Sequence, residues 1–260
     1  MPDTGVFALA KPEEIAARKQ DRLHIRKRKD RNIICVTDGL PTAKNAQVGE
    51  ARKRVDRRFE IVVDASEGFV PLWAENSTLR WRFNAVSLEA FQDPDGAREA
   101  IRTLFADAVA AWDTACPLAF VEDDALYDFE IVVRSEKRCS ANGCVLASAF
   151  FPDGGQHELI IYPSMFEQVH DEQVATLVHE IGHVFGLRHF FALVSEGAWP
   201  AIIYGEHKKF SIMNYGDESQ LTDVDKADLS ALYKAVWEGK ISALNGTPVR
   251  LVRPYSSQFL

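Results

Sequence analysis

Residues 179–189 read His179-Glu180-Ile181-Gly182-His183-Val184-Phe185-Gly186-Leu187-Arg188-His189. The segment before them has a predicted N-cap at Asp171, and Val174, Leu177, Val178, Ile181, Val184 and Phe185 recur at helical spacing. On a helix, His179 and His183 share one face, with Cβ atoms about 6 Å apart. Two imidazoles so placed can both reach one zinc ion at Zn–N distances of about 2.0–2.1 Å. Glu180 falls one step round the helix, off that ligand geometry but within reach of a water at the metal. Gly186 stands where the helix must stop. A left-handed residue there turns the chain sharply, which glycine does without steric cost, and lets His189 swing back as a third ligand. Three histidines leave a fourth position open, whereas a structural zinc site closes with four protein ligands. The plain alternative, histidines that pack or cap without metal, suits a lone histidine better than three His, one Glu and one Gly at fixed offsets.

Outward from this helix the pattern is layered. Thr78 to Phe83 alternates polar and apolar, predicting a half-buried strand. Asp93-Pro94-Asp95-Gly96 predicts a turn into a helix whose stripe is Ile101, Leu104, Phe105, Ala108, Val109 and Trp112, stopped by Pro117. Leu118–Val121, Phe129–Val133, Val145–Phe151 and Leu159–Tyr162 read as strands, the second almost wholly apolar and so central. Strand, helix, strands and helix in that order predict an α/β or α+β layered domain.

The run at 179–189 resembles the extended zinc signature of the metzincin metallopeptidases, H-E-x-x-H-x-x-G-x-x-H. Ser211-Ile212-Met213-Asn214-Tyr215-Gly216 looks like that family's Met-turn. The resemblance implies an α+β fold: a twisted mixed sheet on two long helices, the active-site helix at the cleft, and a C-terminal subdomain with the Met-turn and a final helix. It implies that Met213 forms an apolar floor under the three imidazoles. Tyr215 matches the astacin and serralysin tyrosine, an additional zinc ligand that swings away to stabilise the reaction intermediate; a core tyrosine is the alternative. Pieces from Leu79 to Pro152, and Leu221 to Leu229, resemble a matrixin catalytic domain. The final helix is predicted to open with a Thr222/Asp225 capping pair and to bury Leu229, Leu232, Tyr233 and Val236. In matrixins the strand matching Val145, Leu146 and Ala147 pairs with an extended peptide substrate. The chain departs from the matrixin pattern in lacking a structural-zinc histidine cluster or a calcium loop, and Phe190 follows His189.

The implied chemistry is zinc-dependent hydrolysis of peptide bonds with one catalytic Zn²⁺. Glu180 acts as general base and then general acid. The competing classes are a metal-binding but inactive pseudo-peptidase that binds proteins, and a nucleic-acid-associated protein using a basic arm.

That arm is visible in the charge. Residues 1–58 carry 15 Lys+Arg against 8 Asp+Glu, and residues 59–260 carry 15 against 30. The basic clusters lack stacking aromatics or a recognition motif, so a nucleic-acid partner is not expected. They read as a solvated arm, or as a prosegment lying on an acidic body. The expected organisation is an extension or prosegment over 1–70, a catalytic domain over 71–240 and a tail over 241–260. Ile33-Ile34-Cys35-Val36-Thr37-Asp38 precedes the catalytic domain. Matrixin prosegments plug the open zinc position with a cysteine and astacin prosegments with an aspartate. Cys35 or Asp38 is therefore a candidate inhibitory switch of a zymogen, with a plain strand thiol as the alternative.

A 47% hydrophobic and 26% charged composition excludes a disordered chain, a collagen-like fibre and a coiled-coil rod. No apolar run is long enough to span a bilayer, and no membrane partner is expected. The opening residues lack a basic n-region, so the default expectation is a cytoplasmic protein, or one whose leader has been removed. On that default Cys139 and Cys144 are expected as free thiols, with a local disulfide as the alternative. Nothing in the pattern marks an oligomer.

Overall fold

The computed structural model describes residues 33–35, 61–64, 68–140, 143–189, 201–204, 211–213 and 219–260. In chain order the elements are β1 (Ile33–Ile34), β2 (Ile61–Asp64), β3 (Val70–Trp73), β4 (Thr78–Phe83), α1 (Ala85–Leu88), α2 (Pro94–Trp112), β5 (Ala119–Glu122), β6 (Phe129–Val133), β7 (Arg138–Ser140), β8 (Gly143–Val145), β9 (Ala147–Ser148), β10 (His157–Ile161), α3 (His170–Val184), β11 (Ala201–Tyr204), α4 (Asp223–Trp237), β12 (Ala243–Leu244) and β13 (Thr247–Val252). Among the described residues no helix is long and apolar enough to cross a membrane.

The main sheet is five-stranded, in the order β5-β4-β6-β10-β9. The first four strands are parallel and β9 runs antiparallel to β10. Parallel neighbours need a crossover, and α2 supplies it between β4 and β5. Asp93 caps that helix by accepting from Gly96 N at 3.0 Å, and Pro94 opens its first turn. The stripe named from the sequence is buried in it: Ile101, Leu104, Phe105, Ala108 and Trp112. Phe105 lies on the sheet, its ring centroid 5.1 Å from Trp81 and 5.5 Å from Phe120. At the far end of α2, Trp112 donates its indole N–H to Val178 O at 3.2 Å, which joins α2 to α3. The fold is thus α+β, with two long helices packed on a mixed sheet.

Three local expectations are corrected. Val145–Phe151 is not one strand: β8 pairs with β7, β9 pairs with β10, and Leu146 between them accepts from Tyr162 N at 2.8 Å. The segment changes partners within a continuous apolar run, so no turn residue signals the break. The N-cap of α3 is Val169, not Asp171, because the Glu172 carboxylate accepts from Val169 N at 3.3 Å. Cys139 and Cys144 form a disulfide. They stand directly opposite across the β7–β8 hairpin, with Cα atoms 4.0 Å apart, while Cys35 and Cys116 remain thiols.

The C-terminal residues fold back onto the start of the domain. β13 pairs parallel with β3, and Ser256 donates its backbone N–H and hydroxyl to buried Asp128 at 2.7 and 2.9 Å. Asp128 also accepts from Arg80 N at 2.7 Å, so one carboxylate joins the tail to β4. Asp128→Ala strands three donors, two of them buried. It is expected to cost about 3 kcal/mol of unfolding free energy in denaturant titration, and Ser256→Ala only about 1 kcal/mol. Equal small losses would show that this junction contributes little.

Candidate metal centre

The last turns of α3 are buried on all sides from His179 to Val184. The helix closes at Phe185, and Gly186 takes φ +90°. A Cβ at Gly186 would meet Pro71 O at 3.2 Å and Leu72 Cδ2 at 3.3 Å, so both conformation and space favour glycine. The chain then turns back through Leu187, which bridges to Val63, and delivers His189 to the face of His179 and His183.

Backbone carbonyls orient two of the rings. His179 Nδ1 donates to Ile212 O at 2.6 Å and His183 Nδ1 donates to Leu187 O at 2.7 Å. A carbonyl only accepts, so each Nδ1 carries the proton and each Nε2 presents its lone pair inward. His179 Nε2 lies 3.2 Å from His189 Nε2. Tetrahedral zinc with Zn–N near 2.05 Å sets its nitrogens about 3.3 Å apart.

Cys35 completes the group. Ligand atoms of Cys35, His179, His183 and His189 all lie within 4.8 Å of one another, and all four residues are buried. Cys35 Sγ is 3.5 Å from His183 Nε2 and donates to Glu180 Oε1 at 3.3 Å. Tetrahedral zinc with one sulfur at about 2.3 Å sets sulfur and nitrogen about 3.6 Å apart. The donor set present therefore fits Zn²⁺ in both its chemistry and its spacing. Glu180 is buried, touches the cysteine, and is not one of the four grouped ligand atoms.

The surrounding residues shape the group. Met213 is buried beneath α3, and a Cβ added at Gly182 would meet its Sδ at 2.6 Å. Gly182 therefore lets the sulfur approach the helix backbone between the two helical histidines. Phe151 stands edge-on to His183 at 5.5 Å. Val145, Leu146 and Ala147 are buried at the sheet margin, and β1 pairs parallel with β8, Ile33 opposite Cys144 and Ile34 opposite Val145. The segment expected to meet a substrate thus carries residues 33–34 of the same chain. Asp38 and Tyr215 lie outside the described residues.

Sequence reasoning missed the backbone acceptors Ile212 O and Leu187 O, and also Ser219, whose hydroxyl donates to Ile212 O at 2.8 Å. A carbonyl has no side-chain signature, so no residue type announces it. It also missed Trp73 and Tyr233, which reach the end of α3 from distant elements.

The matrixin family model matches residues 72–234, more than half of the chain. Among solved structures the chain is similar to high choriolytic enzyme 1, a hatching-enzyme zinc-protease of Oryzias latipes (medaka fish), at 15% identity and TM-score 0.38, covering 66% of this chain and 92% of that one. It is also similar to myroilysin, at 13% identity and TM-score 0.43, covering 66% of this chain and 98% of that one. No curated protein sequence matches the chain.

Proposed function

Because this chain belongs to the matrixin family and is a zinc-dependent metalloendopeptidase, we propose that Glu180 is its general base, that His179, His183 and His189 hold the ion, and that Cys35 keeps the chain latent. The observation that carries the reading is the contact of the Cys35 thiol with both the Glu180 carboxylate and the His183 imidazole. One side chain occupies both the fourth ligand position and the place where a water must meet the base.

Zinc, when bound, supplies Lewis acidity, bringing the pKa of water down toward about 7 and polarising a carbonyl. The protein's own groups do the rest. The three imidazoles are neutral and leave the ion its full charge. Glu180 takes the proton of the attacking water and returns it to the departing amine. Tyr215, by its place after Met213, steadies the developing oxyanion. Met213 gives the imidazoles an apolar floor. A peptide substrate pairs along Val145–Ala147 once residues 33–34 have left, and main-chain pairing of this kind selects extended peptides. On this reading the segment around Cys35 is the inhibitory part of the extension over residues 1–70, while Val63 and Val70 pack in the core of the domain.

Chelation tests the reading. Casein hydrolysis by full-length Cys35→Ala is expected to vanish with a strong chelator and to return when zinc is restored. Hydrolysis that survives complete metal removal would overturn it.

A further inference from the structure

The carbonyls at the end of α3 can be accounted for one by one. Ile181 O and Gly182 O accept from Phe185 N, Gly182 O also from Leu187 N, and His183 O from Gly186 N. The next two carbonyls are held by side chains from elsewhere in the fold. Val184 O accepts the indole N–H of Trp73 at 2.7 Å, and Phe185 O accepts the hydroxyl of Tyr233 at 3.0 Å. All four residues are buried to within about a hundredth of full exposure. The donors are tied together: Trp73 N reaches the Tyr233 hydroxyl at 3.4 Å, and Trp237 donates its indole N–H to Trp73 O at 3.0 Å. Burial pushes the Tyr233 hydroxyl well above its ordinary pKa, so it stays protonated and donates at any working pH.

Such an arrangement does more than terminate a helix. Gly186 permits the left-handed turn, its own N–H and that of Leu187 close it onto His183 O and Gly182 O, and the two side-chain donors tie the remaining carbonyls of the turn to β3 and α4. The turn from Val184 to Leu187 sets where Leu187 O stands, and that oxygen orients the His183 ring. The same turn sets where His189 enters the site. We propose that Tyr233, together with Trp73, is a positioning clamp that fixes the Phe185–Gly186 turn and so aims His183 and His189 at the metal. The proposal rests on the zinc reading of the three histidines. It adds that their geometry is held from α4 and β3, not by α3 alone.

Tyr233→Phe removes the hydroxyl and leaves the ring to pack against Trp237, 5.1 Å away. Groups one layer behind metal ligands typically change affinity by 10- to 100-fold. In the full-length chain, zinc affinity measured by chelator competition well below the melting temperature is expected to weaken about tenfold. Leu229→Ala, a cavity change on the same helix, serves as the control: it lowers thermal stability and leaves zinc affinity within about twofold. Unchanged affinity in Tyr233→Phe, or an equal loss in both variants, would overturn the clamp. Should Tyr233→Phe fail to fold, Trp73→Phe, which removes the indole donor and also shrinks a buried ring, is judged by the same criterion against the cavity control. A parent chain that binds no zinc would instead overturn the reading on which the clamp depends.

Discussion

Glu180→Gln is expected to bind zinc as the parent does and to hydrolyse peptides at least a hundredfold more slowly. The amide keeps the size and the helix position of the carboxylate but cannot take a proton from water. General base catalysis by a positioned side chain contributes about 10²- to 10⁴-fold, and here the same group must also protonate the leaving amine. The histidine ligands are untouched, so zinc content separates loss of the base from loss of the site. The comparison belongs in a Cys35→Ala background, because in the parent the thiol already sits on Glu180. Hydrolysis by the double variant at the rate of Cys35→Ala would show that another group moves the proton.

The second large effect concerns the cysteine itself. Among the described residues, two interactions hold the amino-terminal segment at the site, and they differ in weight. The β1–β8 pairing spans two residue pairs, each hydrogen bond having a net value of about 1 kcal/mol. The thiol meets a metal-ligand cluster and, being part of the same chain, acts at a high effective concentration. Intramolecular tethering of this kind strengthens binding by about 10²- to 10⁴-fold. The sulfur therefore dominates. Full-length Cys35→Ala is expected to cleave casein on the order of 10²-fold faster than the full-length parent. Equal rates would mean that residues 33–35 block the site sterically or not at all.

Much of the site was legible because its information is local. His179, His183 and Gly186 lie within two helical turns, and α-helical spacing alone brings the first two together. Gly186 was readable because only one residue type suits φ +90° against the Pro71 carbonyl. The capping pair of Thr222 and Asp225 was readable for the same reason: Asp225 N donates to Thr222 Oγ1 at 3.2 Å and Thr222 N to Asp225 Oδ2 at 2.8 Å.

What stayed hidden depends on partners distant in sequence. Cys35 and Glu180 are 145 residues apart; the family resemblance named Cys35 as a candidate plug of the open metal position, but no pattern near either residue announces its contact with the carboxylate. Val145 to Phe151 looked like one strand because apolar residues do not reveal which neighbour they pair with. The disulfide followed from register, which sets Cys139 opposite Cys144, and not from their spacing alone. The start of α3 moved by two residues because a carboxylate at Glu172 can satisfy the cap from inside the helix.

On the proposed reading, three imidazoles and one thiolate of this chain surround a single zinc ion. X-ray absorption at the zinc edge of the purified full-length protein measures that shell directly. Three nitrogen scatterers at about 2.0–2.1 Å and one sulfur at about 2.3 Å are expected, with the sulfur lost in Cys35→Ala. A parent spectrum without sulfur, or a protein that retains no zinc, would contradict it.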